Sequence, residues 1–210
     1  VAPLPAPQAG HATVACFQQP DKINDEVLGL WARIAQQAPD LHWRFQHKAW
    51  EDPHRVATLQ ARMRQFGFPV ERVQWHGKTL RPAYLAAHAE VDFILDTFPY
   101  NGGTTTAEAL VMGVPTVVWP WPGMAARQGQ ALMTAAGLAD WVAQDADDYL
   151  RLALHWASPA AWPALARLRA GLRKQVLISP LMDGASFAAD WTQAVRALWQ
   201  DACQASIEQE

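Results

Sequence analysis

The chain has 210 residues, half of them hydrophobic, with 20 acidic and 17 basic side chains and a formal net charge of −3. A chain of this size buries roughly 70% of its unfolded surface, enough for one large domain or one lobe of a bigger protein. The charge supplies no electrostatic footprint for nucleic acid and no basic face for a membrane, and Cys16 and Cys203 lie far apart without a CxxC pair, which leaves a disulfide framework or a zinc site nothing to build on.

The opening VAPLPAPQAG has no basic start and no apolar core, so it does not read as a secretory signal. Its Pro/Ala content predicts a linker over residues 1–10, and the Val start a fragment whose N-terminal part was removed. Residues 12–17 are a β-prone run, and 23–39 carry Val27, Leu28, Leu30, Trp31 and Ile34 at helical spacing. Residues 41–47 alternate apolar and polar, 53–67 start with Pro and end with Gly as a helix does, and 73–77 form another short strand. The pattern then repeats with a helix over 81–89, a strand over 91–96, a Gly/Thr loop, a helix over 104–112, a strand over 116–120 and a helix over 126–137. Residues 138–143 are expected as a last strand, followed by amphipathic helices over 145–157, 159–175 and 184–204.

Strands alternating with helices of this length specify right-handed βαβ units. The expected architecture is therefore a doubly wound α/β lobe with a mainly parallel sheet, spanning residues 11–210 and finishing in C-terminal helices. The longest apolar stretch, 109–126, is interrupted by Gly113, Pro115, Pro120 and Pro122, which a membrane-spanning helix would not choose. A soluble protein of a reducing cytoplasm fits this composition. Of the eleven tryptophans, Trp31, Trp141, Trp191 and Trp199 sit at core spacing, whereas Trp119 and Trp121 follow a strand end on the ligand side of such sheets and are expected to line a pocket. His42 and His47 are five apart in a strand-like region, so they point to opposite faces and do not make a metal site.

The loop NGGTTT puts Gly102, Gly103 and three threonines before a helix. Threonine is a poor interior helix residue, but at an N-terminus its hydroxyl caps an orphan amide, and the first-turn amides with the helix dipole form an anion site. Thr104 as a simple N-cap is the plainer reading. Because the loop leaves the carboxyl end of a strand, where ligands of open α/β sheets sit, the phosphate reading gains weight. The loop is neither a Walker loop nor a GxGxxG fingerprint. Glu108, one helical turn on, is either a solvated residue or an acceptor for ribose hydroxyls.

The segment VDFILDTFPYNGGTTTAEALVMGVPTV, together with FQQPDKINDEVLGLWARI, the HGK at 76–78, AARQGQALMTAAGLADWVA and ISPLMDGASFAADW, resembles the protein O-GlcNAc transferase family, the SPINDLY-like enzymes and bacterial members with tetratricopeptide repeats. The resemblance implies the Rossmann-like C-terminal lobe of a GT-B glycosyltransferase that inverts configuration without a metal or other cofactor. It implies transfer of GlcNAc from UDP-GlcNAc to protein Ser or Thr, with the partner lobe, its catalytic base and the repeats elsewhere in the full-length protein. An isolated lobe would turn over little or nothing. By motif position, Gln19 and Lys22 would face the diphosphate, with Lys22 offsetting charge on the departing UDP, and Thr104 and Thr105 would bind the same group. Glu108 would hold the ribose, and Gly77 and Lys78 would lie along the uridine.

There are departures from the family pattern. Gly103 stands where animal members have His, Tyr84 lies near a position where many relatives have His, and WPWPGMAARQG lacks the usual Ser before Arg127. They touch the sugar and base pockets and leave open the identity of the sugar. Rival readings are a small-molecule glycosyltransferase, a sugar-nucleotide epimerase, or a degenerate nucleotide-binding scaffold.

Overall fold

Parallel strands are covered on both faces, so they read as near-continuous apolar runs, and Val14, Ala15 and Cys16 are all buried. The computed structural model describes residues 1–207. Its sheet comprises β1 (Thr13–Cys16), β2 (His42–Gln46), β3 (Val73–His76), β4 (Phe93–Leu95) and β5 (Thr116–Val117), all parallel in the order β3-β2-β1-β4-β5. One face carries Val14, Cys16, Trp43, Phe45, Phe93 and Leu95 into the larger core, against Val27, Trp31 and Ile34 of α2 (Asp25–Gln37). The other face carries Ala15, Phe17 and Ile94 into a smaller core, with Ala87, Ala109 and Val114. The doubly wound expectation therefore holds.

On β2 the alternation puts Arg44 and Gln46 on the second face, where Arg44 is buried and donates to Glu90 Oε2 at 2.5 Å and to Gln46 Oε1 at 3.0 Å. The helices that follow α2 are α3 (Pro53–Gln65), α4 (Arg81–Ala86), α5 (Thr104–Val111), α6 (Gln128–Ala135), α7 (Ala146–Ala157), α8 (Trp162–Leu177) and α9 (Gly184–Ile207). Asn24 starts α2: its Oδ1 accepts from Val27 N at 2.9 Å, while its Nδ2 donates to Phe98 O at 2.8 Å and ties the helix start to the loop after β4. Gly113, at φ +83°, ends α5 in a conformation that favours glycine.

Four expectations change. Residues 1–10 are not a free linker: they include a short helix, α1 (Ala6–Ala9), Leu4 and Ala6 are buried, and Ala6 N donates to Asp92 Oδ1 at 2.9 Å while Arg169 Nε donates to Ala2 O at 2.8 Å. Buried Asp92 and Arg169 require partners, and this segment supplies one to each, beside Thr13 N for Asp92 and the Val91 and His88 carbonyls for Arg169. Residues 138–143 make a single bridge, Val118 to Val142, because Ala139–Trp141 coils into a 3₁₀ turn that stacks Trp141 on Trp156 at 4.4 Å. The helix at 81–89 tightens after Ala86 into the 3₁₀ turn Ala87–Glu90.

Trp191 and Trp199 are not core. They are 63% and 71% exposed on α9, in a stripe with Phe187, Val195 and Leu198, because α9 runs out beyond the lobe's core. Helical spacing identifies the apolar stripe but not whether a surface lies opposite. Among the described residues, no helix is long and apolar enough to cross a membrane.

Candidate functional site

Strand order reverses between β1 and β4, and the crevice outside their carboxyl ends is where open α/β sheets bind ligands. Two loops flank it, 17–24 after β1 and 96–103 after β4. The second begins with Asp96, whose buried carboxylate accepts from Gln18 Nε2 at 3.0 Å, Thr97 N at 2.9 Å and Gly102 N at 2.8 Å. Burial pushes the Asp96 carboxyl up to about 7, against the opposing pull of those amides and Lys22.

The loop ends at the start of α5. Gly103, not Thr104, occupies the N-cap position, and no side chain caps the helix. Thr104 is the exposed first helical residue, so the N-cap expectation is corrected. The hydroxyls of Thr105 and Thr106 and Oδ1 of Asn101 are buried without a hydrogen-bond partner. An uncapped helix N-terminus ringed by orphaned hydroxyls is poised for an anion with acceptor oxygens. The glycines permit close packing here: a Cβ at Gly102 would lie 2.1 Å from Gln18 Nε2 and 2.5 Å from Thr106 Oγ1, and one at Gly103 would lie 2.6 Å from Gln128 Oε1.

Lys22 reaches the same loop from the 3₁₀ turn Pro20–Lys22. Its Nζ donates to Asn101 O at 2.9 Å and sits 3.8 Å from the centre of the Tyr100 ring. One of its three N–H donors is thus spent on positioning, leaving two for a ligand. Burial lowers its pKa while Asp96 and Cys16 raise it. Gln19 is exposed and donates to Asp21 Oδ2 at 3.2 Å rather than reaching α5; it shares with Lys22, Phe98 and Tyr100 a cleft of about 210 Å³.

Gly77 and Lys78 follow β3, two strands from β1, and form a separate group. Lys78 N donates to Glu51 Oε1 at 3.0 Å, and a Cβ at Gly77 would lie 2.4 Å from Glu51 Cγ, so this loop is moulded onto Glu51. A second cleft of about 580 Å³, bordered by Gln19, His47, Glu51 and Arg55, lies between the loops after β1 and β2.

Glu108 is neither solvated nor free. It pairs with Arg81 and hydrogen-bonds Tyr84, both from α4. Tyr84 packs edge-on to Phe17 at 5.6 Å, and its hydroxyl is held above its ordinary pKa by burial and by Glu108. Trp119 and Trp121 back the loop: their rings lie 4.8 and 6.4 Å from Phe98, and Trp119 O accepts from Asn101 Nδ2 at 3.4 Å. His42 stacks on His11 at 3.8 Å, and His47 Nδ1 accepts from Ala49 N.

The structure thus brings Lys22 to the loop that carries Gly102 and Gly103 and leads into Thr104 and Thr105, joins Tyr84 with Glu108 one turn into α5, and leaves Gly77 with Lys78 apart. Sequence reasoning missed Gln18, Asp96, Asn101, Glu51 and Arg81. Polar residues directly after strands β1 and β4 were the available signal for Gln18 and Asp96.

Comparison with known proteins is consistent with this geometry. The model of glycosyl transferase family 41 matches residues 7–191. A probable UDP-N-acetylglucosamine–peptide N-acetylglucosaminyltransferase SPINDLY of Eustoma exaltatum subsp. russellianum is 35% identical over 99% of this chain, and the match covers 22% of that relative. A UDP-N-acetylglucosamine–peptide N-acetylglucosaminyltransferase of Caenorhabditis elegans is 25% identical over 90% of this chain and 16% of its own. The chain therefore spans about a fifth of the length of these relatives. Among solved structures, a Lys-to-Met mutant of Thermobaculum terrenum O-GlcNAc transferase superposes with a TM-score of 0.82 at 32% identity, covering 94% of this chain and 38% of that one. A sucrose-phosphate synthase from Thermosynechococcus elongatus shares the fold at 16% identity, with a TM-score of 0.60. The lobe is Rossmann-like, of the GT-B type, and the chain belongs to glycosyl transferase family 41.

Proposed function

We propose that this chain is the donor-binding lobe of an inverting, metal-independent glycosyltransferase that moves GlcNAc, or a related sugar, from a UDP-sugar to Ser or Thr hydroxyls of proteins. The observation that carries the reading is the uncapped start of α5, where buried Thr105 and Thr106 hydroxyls lack partners and Lys22 converges from the opposite loop. In the reaction, the acceptor oxygen bonds to the anomeric carbon as the bond from that carbon to the diphosphate oxygen breaks, and the bonding electrons leave with UDP. The hydroxyl proton passes to a base carried by the partner lobe. Lys22 and the α5 amides neutralise the charge that grows on the diphosphate, and such prearranged donors stabilise a transition state without reorganisation.

Gln19 borders both clefts and would flank the diphosphate, while Gly77 and Lys78 would line the uridine end. Glu108 would accept from the ribose after exchanging its bond with Arg81. The partner lobe, tetratricopeptide repeats and a cytoplasmic location complete the reading for the intact protein. The test is incubation of the intact protein with a panel of UDP-sugars and a host lysate, read by intact mass and peptide mapping. Mass increments of one sugar on Ser or Thr support it. Turnover of UDP-sugar to an epimer, or sugar appearing only on small molecules, refutes it.

A further inference from the structure

Asp96 holds both loops of the crevice at once. Besides its bonds to Gln18, Thr97 and the Gly102 amide through Oδ1, its Oδ2 also accepts from Gly102 N, at 3.0 Å. Its main-chain oxygen accepts from the Tyr149 hydroxyl at 2.8 Å, and that hydroxyl accepts from Trp31 Nε1 at 3.1 Å. From the third side, a Cβ at Gly129 of α6 would stand 2.9 Å from Oδ2, so α6 closes over the carboxylate. Gly102 directly precedes the α5 N-cap, and Asn101, one residue earlier, carries the carbonyl that holds Lys22.

We propose that Asp96 is a positioning residue and proton acceptor of the diphosphate site: it holds the 96–103 loop in the shape that receives the anion and takes up a proton from solvent when the anion binds. This rests on the UDP-sugar reading above. A diphosphate at the start of α5 brings like charge beside a buried carboxylate, which favours its protonated form. Asp96 already titrates near 7, so the added charge acts across neutrality.

The other titratable groups facing it are Cys16 on β1, Tyr149 on α7 and Lys22 after β1. Burial pushes the Cys16 thiol up to about 12 and the Tyr149 hydroxyl well above its ordinary value, so both stay neutral around pH 7. Asp96 and Lys22 remain as the charged pair. Once Asp96 is neutral, the Lys22 ammonium faces the ligand without a competing carboxylate.

The test is titration calorimetry of the intact protein with UDP-GlcNAc, whose diphosphate diester has no group titrating near neutrality. Runs in buffers of different ionisation enthalpy, from about pH 6.5 to 8, count protons. Wild type should take up as much as one proton, with affinity falling by up to tenfold per pH unit above about 7. Asp96→Asn, which keeps an acceptor oxygen but cannot ionise, should bind with a flat pH profile and no uptake. Asp96→Ala should bind more weakly at every pH, because the Gly102 amide is released. Binding without proton uptake in wild type, or equal uptake in Asp96→Asn, overturns the proposal and leaves the UDP-sugar reading standing. No binding in wild type overturns both.

Discussion

Replacing Lys22 by Met tests the site most directly, because Lys22 has two separable roles. In the folded chain its Nζ bridges to Asn101 O at 2.9 Å and lies over the Tyr100 ring. A hydrogen bond from a charged group contributes about 1.5–3 kcal/mol and a half-exposed cation–π contact about 0.5–1 kcal/mol. Removing the ammonium also returns its desolvation cost, so the net loss of stability should be about 1–2 kcal/mol. That lowers Tm by roughly 2–8 °C for a chain of this size. Toward a ligand, Met removes the two donors not committed to Asn101, a further loss of about 1.5–3 kcal/mol, so UDP affinity should fall roughly ten- to a hundredfold. In the intact enzyme the turnover number should drop more than the Michaelis constant rises, because leaving-group charge is greatest in the transition state. Calorimetry with UDP, thermal melts and steady-state kinetics separate the two roles. A folded Lys22→Met protein that binds UDP as wild type does would refute the assignment and leave Lys22 as a bridge between loops.

Four further outcomes are expected. Gly102→Ala places a Cβ 2.1 Å from Gln18 Nε2 and 2.5 Å from Thr106 Oγ1, so overpacking should cost about 1–3 kcal/mol in urea unfolding. Tyr149→Phe strips the partner from buried Trp31 Nε1 and Asp96 O, a loss of about 1–3 kcal/mol for each group left unsatisfied, also read by urea unfolding. Thr104→Val should leave stability within about 0.5 kcal/mol, since Thr104 caps nothing; a larger loss in thermal melts would return it to the N-cap role. Asp96 titrates near 7 in the fold against an ordinary 3.8, so folding favours its protonated form. Its contribution is full below the ordinary value and is lost as pH rises toward 7, by up to about 1.4 kcal/mol per unit, and Asp96→Asn should flatten that part of the unfolding profile.

Order and type of most elements were legible in the chain because local rules carry them. The apolar run Val14 to Cys16, the Asn24 start of α2 and the Gly113 stop of α5 each act within a few residues. The Gly/Thr loop was legible for the same reason: free first-turn amides and the helix dipole favour an anion at a helix N-terminus. Which strand lies beside which is not local. The crevice exists because β1 sits between β2 and β4, and only that order brings Lys22 to Asn101, 79 residues away. Separation in sequence also hid the partners of single residues: Glu108, which looks free on its own helix, is claimed by Arg81 and Tyr84 from α4, and Asp96 is clamped by Gln18. Periodicity marks which face of a helix is apolar, as on α9, but burial depends on what stands opposite, and Trp191 and Trp199 stay 63% and 71% exposed. Spacing along the chain therefore determined the elements and the chemistry available to them, while proximity across the sheet decided which groups meet and so which charges and hydroxyls remain for a ligand.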